Sequence, residues 1–303
     1  MTGLSAEIFE KYQVRKSKKQ KTAFIELIQS RIPEAKVEKK GSVRNIVIGE
    51  PDSARVIFTA HYDTCARMLL PNFISPNNIF VYLVYQLFLV FLFFVISLAV
   101  SFVTAMINID LALPAAYLTY LLLLYLLIAG PANKHTANDN TSGVITLCEI
   151  YEAMDPAQRE KCAFVFFDLE EPGLIGSSAF WRKHKKAVKD TLLINFDCVS
   201  DGDNIMLVSK KKAWGEYGEV LERSFLPRGE KQVLFEKTSS AFYPSDQSHF
   251  PKGIGVAALK KSRFPGYYIN RIHTSRDTVF DEKNIEVLRS GALSLISRLP
   301  DKE

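Results

Sequence analysis

This chain of 303 residues is poor in cysteine, carries little net charge and shows no internal repeat or low-complexity tract. Its four cysteines (Cys65, Cys148, Cys162, Cys198) are scattered, with no Cys-x-x-Cys spacing. That excludes a thiolate zinc module and a small disulfide scaffold. A net charge of +5 is mild for this length, and no concentrated basic face is evident. There is therefore no reason to expect nucleic acid as a partner. The densest basic cluster runs from Arg15 to Lys21. It reads as the solvated face of an N-terminal helix, with a membrane-surface contact as the alternative. Met1 to Phe9 has no apolar core followed by a cleavage site, so no signal peptide is expected. No pattern indicates an oligomeric state.

The largest absence is of charge. Between Arg67 and Lys134 the only ionised side chain is Asp110. About 20 apolar residues span a bilayer as a helix. The runs 79–107 and 111–129, joined around Asn108-Ile109-Asp110, are each that long. They read as a transmembrane hairpin (77–130) inserted into a domain formed by 1–70 and 131–303. Ser97, Ser101 and Ala105 recur every four residues, as do Ala112 and Ala116, which lets two helices approach closely in lipid. An even number of spans leaves Arg67, Lys134 and the basic N-terminal segment on one side. The tip has no Lys or Arg, so the soluble portion is expected to face the cytoplasm. Unpaired thiols suit that reducing compartment.

What the soluble portion does contain is five short acidic and histidine motifs. They are His61-Tyr62-Asp63-Thr64, Asn138-Asp139-Asn140-Thr141-Ser142-Gly143, Asp168-Leu169-Glu170-Glu171-Pro172-Gly173-Leu174, Asn195-Phe196-Asp197, and His273-Thr274-Ser275-Arg276-Asp277-Thr278. Zinc accepts imidazole nitrogen and carboxylate oxygen, and a catalytic zinc keeps one position open. Two zincs about 3.5–4 Å apart can share a bridging carboxylate. A hydrolase also needs a base that binds no metal. Glu170 and Glu171 are adjacent, so in an extended segment they point in different directions. One can ligate while the other faces water. Asp63, two residues beyond His61, shares a strand face with it and is placed to orient its imidazole.

The apolar runs Ala54–Ala60, Cys162–Phe167, Leu192–Phe196 and Val256–Leu259 read as buried strands. Val37–Ile48 reads as a hairpin with Gly41 near its turn. Helices are expected over Ser5–Ile32, Ser142–Met154, Ser177–His184 and Ile285–Arg298. Alternating strands and helices imply an α/β fold, a mixed central sheet flanked by helices. Three of the candidate motifs follow the ends of apolar strands, where ligands collect in such folds.

With these motifs in this order, the chain resembles family 28 of the metallopeptidases, the di-zinc aminopeptidases, from about Ala54 to Thr278. The resemblance implies a zinc-exopeptidase-like fold and two Zn²⁺ ions. His61, Asp139 and Asp197 would hold one, and Asp139, Glu171 and His273 the other, with Asp139 as the bridge. It makes Glu170 the general base, Asp63 the support of His61, and a peptide the substrate. It also implies a cis peptide at Asp139–Asn140. Two features depart from the family pattern. Ser245-Asp246-Gln247-Ser248-His249-Phe250 stands where Ser-Asp-His before a Phe is usual, which leaves Asp246 a candidate substrate-proximal residue. The hairpin replaces what is usually a short loop. Two alternatives are a glutaminyl cyclase-like single-zinc enzyme and a membrane scaffold with a decayed site. The cyclases usually carry Trp before the last His, where this chain has Ile272.

Overall fold

Three apolar runs, Val56–His61, Cys162–Phe167 and Leu192–Phe196, are buried at every residue. Strands covered on both faces belong in a parallel layer between helices. The computed structural model describes residues 1–299. Its strands are β1 (Lys36–Lys40), β2 (Val43–Ile48), β3 (Val56–His61), β4 (Cys162–Phe167), β5 (Leu192–Phe196), β6 (Asn204–Ser209), β7 (Gln232–Lys237), β8 (Gly253–Lys261) and β9 (Tyr267–Tyr268). Its helices are α1 (Gly3–Lys11), α2 (Lys18–Arg31), α3 (Ile79–Ala105), α4 (Ala112–Ala129), α5 (Gly143–Ala153), α6 (Pro156–Glu160), α7 (Ile175–Val188), α8 (Lys211–Ser224) and α9 (Glu282–Arg298).

The sheet runs β1-β2-β4-β3-β5-β8-β6-β7, with β9 paired to β8. Its centre, β4-β3-β5-β8, is parallel, and β2 and β6 join it antiparallel on either side. This is the mixed, helix-flanked α/β sheet expected. One face packs under α1, α2, α5 and α9 through residues such as Phe24, Ile145, Phe196 and Leu288. The other packs under α7 through Phe167, Phe180 and Phe250. The carboxyl ends of β3, β4 and β5 point the same way, so the loops that follow them converge.

Two expectations need correction. The span Ser5–Ile32 is not one helix but two. Ser17 accepts from the Gln20 amide and the Gln20 side chain returns the bond, a capping box that starts α2 afresh. The basic run is not simply a solvated face. Lys18 and Lys19 are exposed, but Arg15 and Lys21 point inward. Arg15 is fully buried and donates Nε to the Tyr62 carbonyl at 2.5 Å. Lys21 pairs with buried Asp168 at 2.6 Å. A buried carbonyl or carboxylate needs such a partner, and these cations supply it. The segment β6–α8–β7 extends the sheet beyond the strands expected from the sequence.

Helices α3 and α4 form an antiparallel hairpin joined by a short 3-10 turn at Ile109–Leu111. Both spans are long and apolar enough to cross a membrane, and only 6% of each apolar window is buried. The base of the hairpin is fixed to the body. Arg67 donates its amide to the Pro131 carbonyl at 2.8 Å, and Ala66 pairs with Ala132. Ile74 and Ile269 exchange main-chain bonds at 3.1 and 2.9 Å.

Candidate metal centre

His61 is the last residue of β3, and its ring is 1% exposed. Its Nδ1 lies 3.1 Å from the Asp63 carbonyl oxygen and 3.6 Å from the Asp63 carboxylate. The main chain therefore orients this imidazole more closely than the Asp63 side chain does. Asp63 has another contact: its two oxygens accept the amides of Glu170 at 3.0 Å and Glu171 at 3.3 Å. It fixes the loop that carries both glutamates.

That loop turns sharply after β4. Glu170 accepts main-chain bonds from Gly173 and Leu174 at 2.8 Å, and Gly176 then opens α7 against Asp168. A Cβ on Gly176 would lie 2.0 Å from the Asp168 carbonyl oxygen, so only glycine allows this approach. Asp168 itself stays outside the cluster, held by Lys21 and by the Arg44 amide.

Asp139 sits in a π-type turn, Ala137–Ser142, before α5, and the Asp139–Asn140 bond is cis, as the resemblance implied. The turn is held from both sides. Asn140 accepts the Gly143 amide and donates to the Phe196 carbonyl, both at 3.0 Å. Asn138 accepts the amides of Ser200 and Asp201. These bonds tie Asp139 to the loop after β5, which carries Asp197. On the opposite side Asp277 accepts the amides of Asn138 at 2.8 Å and Asp139 at 3.0 Å. Burial pushes the Asp277 pKa up to about 7, with Asp139 adding to the shift.

The side chains then meet. His61 Nε2 lies 3.4 Å from Asp139 Oδ1 and 3.5 Å from Asp197 Oδ1. His273 Nε2 lies 3.0 Å from Asp139 Oδ2 and 3.3 Å from Glu171 Oε2. Asp139 thus turns one oxygen toward each imidazole. Four-coordinate zinc has arms of about 2.0–2.2 Å, which gives tetrahedral edges of about 3.3–3.6 Å. Three of the four separations fall in that range, and the fourth is slightly shorter. Glu171 Oε1 is buried and accepts no hydrogen bond. Cys65 is the further donor within reach of the His273 group, and ligand atoms of His61, Glu170 and Glu171 also lie within 4.8 Å of one another.

The electrostatics favour a cation here. A like-charged pair at about 4 Å costs about 4 kcal/mol at an effective dielectric near 20, and bound metal charge relieves it. Burial opposes ionisation of Asp139, but His273 and His61 outweigh it and hold its pKa below the ordinary carboxylate range. Burial also opposes charging His61, yet Glu170, Asp139, Asp197 and Asp63 raise its pKa. Glu170 and Glu171 are pushed up, first by burial and then by neighbouring carboxylates. Asp246, fully buried in the turn Asp246–His249, is pushed up to about 7 by burial. The donor set therefore fits zinc.

Backbone strain gathers at the same place. Among the described residues, the non-glycine positions at positive φ are Leu169, Leu174, Cys198 and His273. Each is a candidate ligand or lies within a few residues of one. Such a conformation costs about 1–3 kcal/mol and persists where surrounding bonds over-determine it.

A cleft of about 380 Å³ opens over these groups. Its apolar wall includes Ile74, Leu174, Pro244 and Ile272, and Tyr82 of α3 joins it. Sequence reading overlooked Arg15, Asp277 and Tyr82. Asp277 lies inside a motif already picked out, four residues after His273, and that spacing was the available signal. Gln247, where the family pattern has His, bonds to Asn195 and to the Tyr243 carbonyl, so it braces β5 rather than facing the cleft.

A family model described as Peptidase family M28 matches residues 124–295, more than half of the chain. No curated protein sequence matches. Among solved structures, a glutaminyl cyclase of Porphyromonas gingivalis aligns with a TM-score of 0.56 at 12% identity, covering 98% of this chain and 96% of that one. A glutaminyl cyclase of Fimbriiglobus ruber gives 0.56 at 14% identity, covering 96% and 93%. The LapA aminopeptidase of Legionella pneumophila gives 0.53 at 12% identity, covering 98% and 69%. At such identities these likenesses establish a shared fold. The family match, covering Asp139, Glu170, Glu171, Asp197 and His273, goes further: the chain belongs to peptidase family M28.

Proposed function

We propose that this chain is a membrane-anchored di-zinc aminopeptidase, built as a catalytic domain (1–70 and 131–303) with a transmembrane hairpin (77–130) inserted in it. The observation that carries the reading is Asp139, whose two oxygens face separate imidazoles, each with a further carboxylate beside it. His61, Asp139 and Asp197 would hold one zinc, and Asp139, Glu171 and His273 would hold the other. When bound, the pair supplies Lewis acidity to a carbonyl and lowers the pKa of water.

Glu170 is the glutamate left over, next to Glu171 but outside both ligand sets. It takes a proton from the water whose oxygen bonds to the scissile carbonyl carbon. It gives that proton to the amine nitrogen as the C–N bond breaks. Asp63 is a positioning residue, acting through the amides of Glu170 and Glu171. Asp246 is fully buried and is not among the residues lining the cleft, so its influence on substrate would act through Glu170, whose pKa it helps raise. A cleft of about 380 Å³ lies at the small end of the range for ligand sites.

The hairpin supports the membrane reading. At 1.5 Å per residue, spans of 27 and 21 residues reach about 40 and 31 Å, against a hydrocarbon core of about 30 Å. Arg67, Lys134 and the N-terminal basic residues flank its base, which favours the cytoplasmic side for the catalytic domain.

Glu170→Gln in the detergent-purified protein tests the assignment. Hydrolysis of aminoacyl reporters should fall by about 10²–10⁴-fold, the usual contribution of a general base, with zinc content unchanged. Unchanged turnover would remove Glu170 from this role. A second reading, a single-zinc glutaminyl cyclase-like enzyme, is favoured by the shape of two structural neighbours. Cyclisation of an N-terminal glutaminyl peptide by a one-zinc protein would support it instead.

A further inference from the structure

We propose that the site acts on the free N-terminus of a polypeptide tethered in the same membrane, close to the bilayer surface. This rests on the peptidase and membrane readings above. The segment leading into the hairpin builds one wall of the cleft through Asn72, Ile74 and Tyr82. Tyr82 is in the first turn of α3, so the cleft wall reaches within one helical turn of the hairpin's base.

That placement is rigid. Met68 donates its amide to the His273 carbonyl at 2.7 Å and Asn72 to the Ile272 carbonyl at 3.2 Å. Ile74 pairs with Ile269 in both directions. No flexible linker separates the helix that enters the bilayer from the loop that carries His273.

Independent features put the membrane surface at the same level. Aromatic rings gather at the base: Tyr82 packs on Phe242 at 5.8 Å and Phe73 on Tyr85 at 5.3 Å. Tyr and Trp belts of this kind sit at the headgroup layer. At the adjoining end of α4, Lys16 donates Nζ to the Ile128 carbonyl at 2.5 Å, a cation where a helix leaves the hydrocarbon. The turn between β8 and β9 is held against the same base by Phe73–Tyr268 stacking. It carries Phe264, 73% exposed, beside Arg263. The 27 residues of α3 exceed the hydrocarbon thickness by about 10 Å, two turns of helix, enough to bring Tyr82 into the headgroup layer.

A tethered substrate gains from effective concentration only when its tether spans the distance to the site. An extended spacer reaches about 3.3–3.6 Å per residue, so a site about 10 Å from the hydrocarbon needs about three residues. A site on the far side of the catalytic body would need roughly ten or more.

The test uses the full-length protein in phosphatidylcholine vesicles. The probes are leucyl peptides coupled at their C-terminus to phosphatidylethanolamine through Gly-Ser spacers of about three, six and twelve residues, with soluble versions alongside. The expected result is that the shortest tethered peptide is hydrolysed at least about tenfold faster than its soluble counterpart, and no slower than the longer ones. Hydrolysis of soluble peptides with no gain from tethering, or a gain only at the longest spacer, overturns the inference and leaves the peptidase reading standing. No hydrolysis of either set overturns both.

Placement has its own readout. The native cysteines are all buried, so a fluorophore can be directed to Asn72→Cys beside the cleft or to Ser53→Cys before β3, at the opposite end of the strands. Headgroup nitroxides should quench the first label more strongly. Equal quenching would overturn the placement.

Discussion

The α/β body and the hairpin meet opposite solvation problems. In the body, polar groups that would rather face water are buried and paired. Asp63 holds two amides, Asp277 holds two more, and Arg15 and Lys21 reach inward to a carbonyl and a carboxylate. In the hairpin, apolar side chains that would rather avoid water stand outside: Phe102 is 70% exposed, Leu113 79% and Ile107 85%. A continuous apolar surface of this kind marks a contact with another apolar phase, and the proposed membrane anchor assigns it to lipid. The two are joined by a few main-chain bonds around Arg67, Asn72 and Ile74, and those bonds also border the cleft.

Removing the hairpin breaks this contrast most severely. Replacing residues 79–129 by a short Gly-Ser linker should move the protein from the membrane fraction to the aqueous one on alkaline extraction. Zinc should still bind, because every candidate ligand lies in the body. Retention in the membrane would contradict the anchoring role. Asp277→Ala attacks the body instead. It leaves the buried amides of Asn138 and Asp139 without acceptors, at about 1–3 kcal/mol each. Loss of a group that orients a ligand typically lowers metal affinity about 10–100-fold, which competition with a chelator would measure.

Gly176→Ala should cost less, about 1–3 kcal/mol, because the new Cβ meets the Asp168 carbonyl and the glutamate loop must shift. Denaturation in detergent gives the stability change, and turnover shows whether the shift reaches Glu170. The smallest effect lies far from the cluster. His184 bonds Glu38 at 3.0 Å and Asp52 at 2.7 Å, which raises its pKa through Glu38 first, with Lys183 also on Glu38. The protonated form is therefore favoured by folding. Its contribution is complete below the ordinary histidine value of about 6.5, and is lost as pH rises through the higher folded value. Stability measured from pH 6 to 9 should decline in the wild type and decline less in His184→Gln.

Much of this was legible in the chain. β4 and β5 fall on the expected residues, because short apolar runs between polar flanks, broken in β5 only by Asn195, mark buried strands. The five motifs converge because three of them follow parallel strands whose carboxyl ends share one side. The hairpin was visible as missing charge. What stayed hidden depends on tertiary contacts. Nothing local to Arg15 distinguishes it from Lys18 or Lys19, and only the Tyr62 carbonyl beneath it explains its burial. Asp63 looked like a partner for His61, since strand geometry puts both on one face. Its carboxylate does lie 3.6 Å from that imidazole, but its closer bonds to the Glu170 and Glu171 amides follow no one-dimensional spacing. Tyr82 sat within an apolar run, where no one-dimensional pattern marks a cleft wall.

The most direct test of the central claim is zinc content per chain, for the wild type and Asp139→Ala, in protein purified without chelators. A carboxylate that serves two ions predicts two zincs in the wild type and loss of both sites in the variant, with the fold retained by circular dichroism. One zinc in the wild type, or one zinc surviving at full affinity in the variant, would contradict a pair bridged by Asp139.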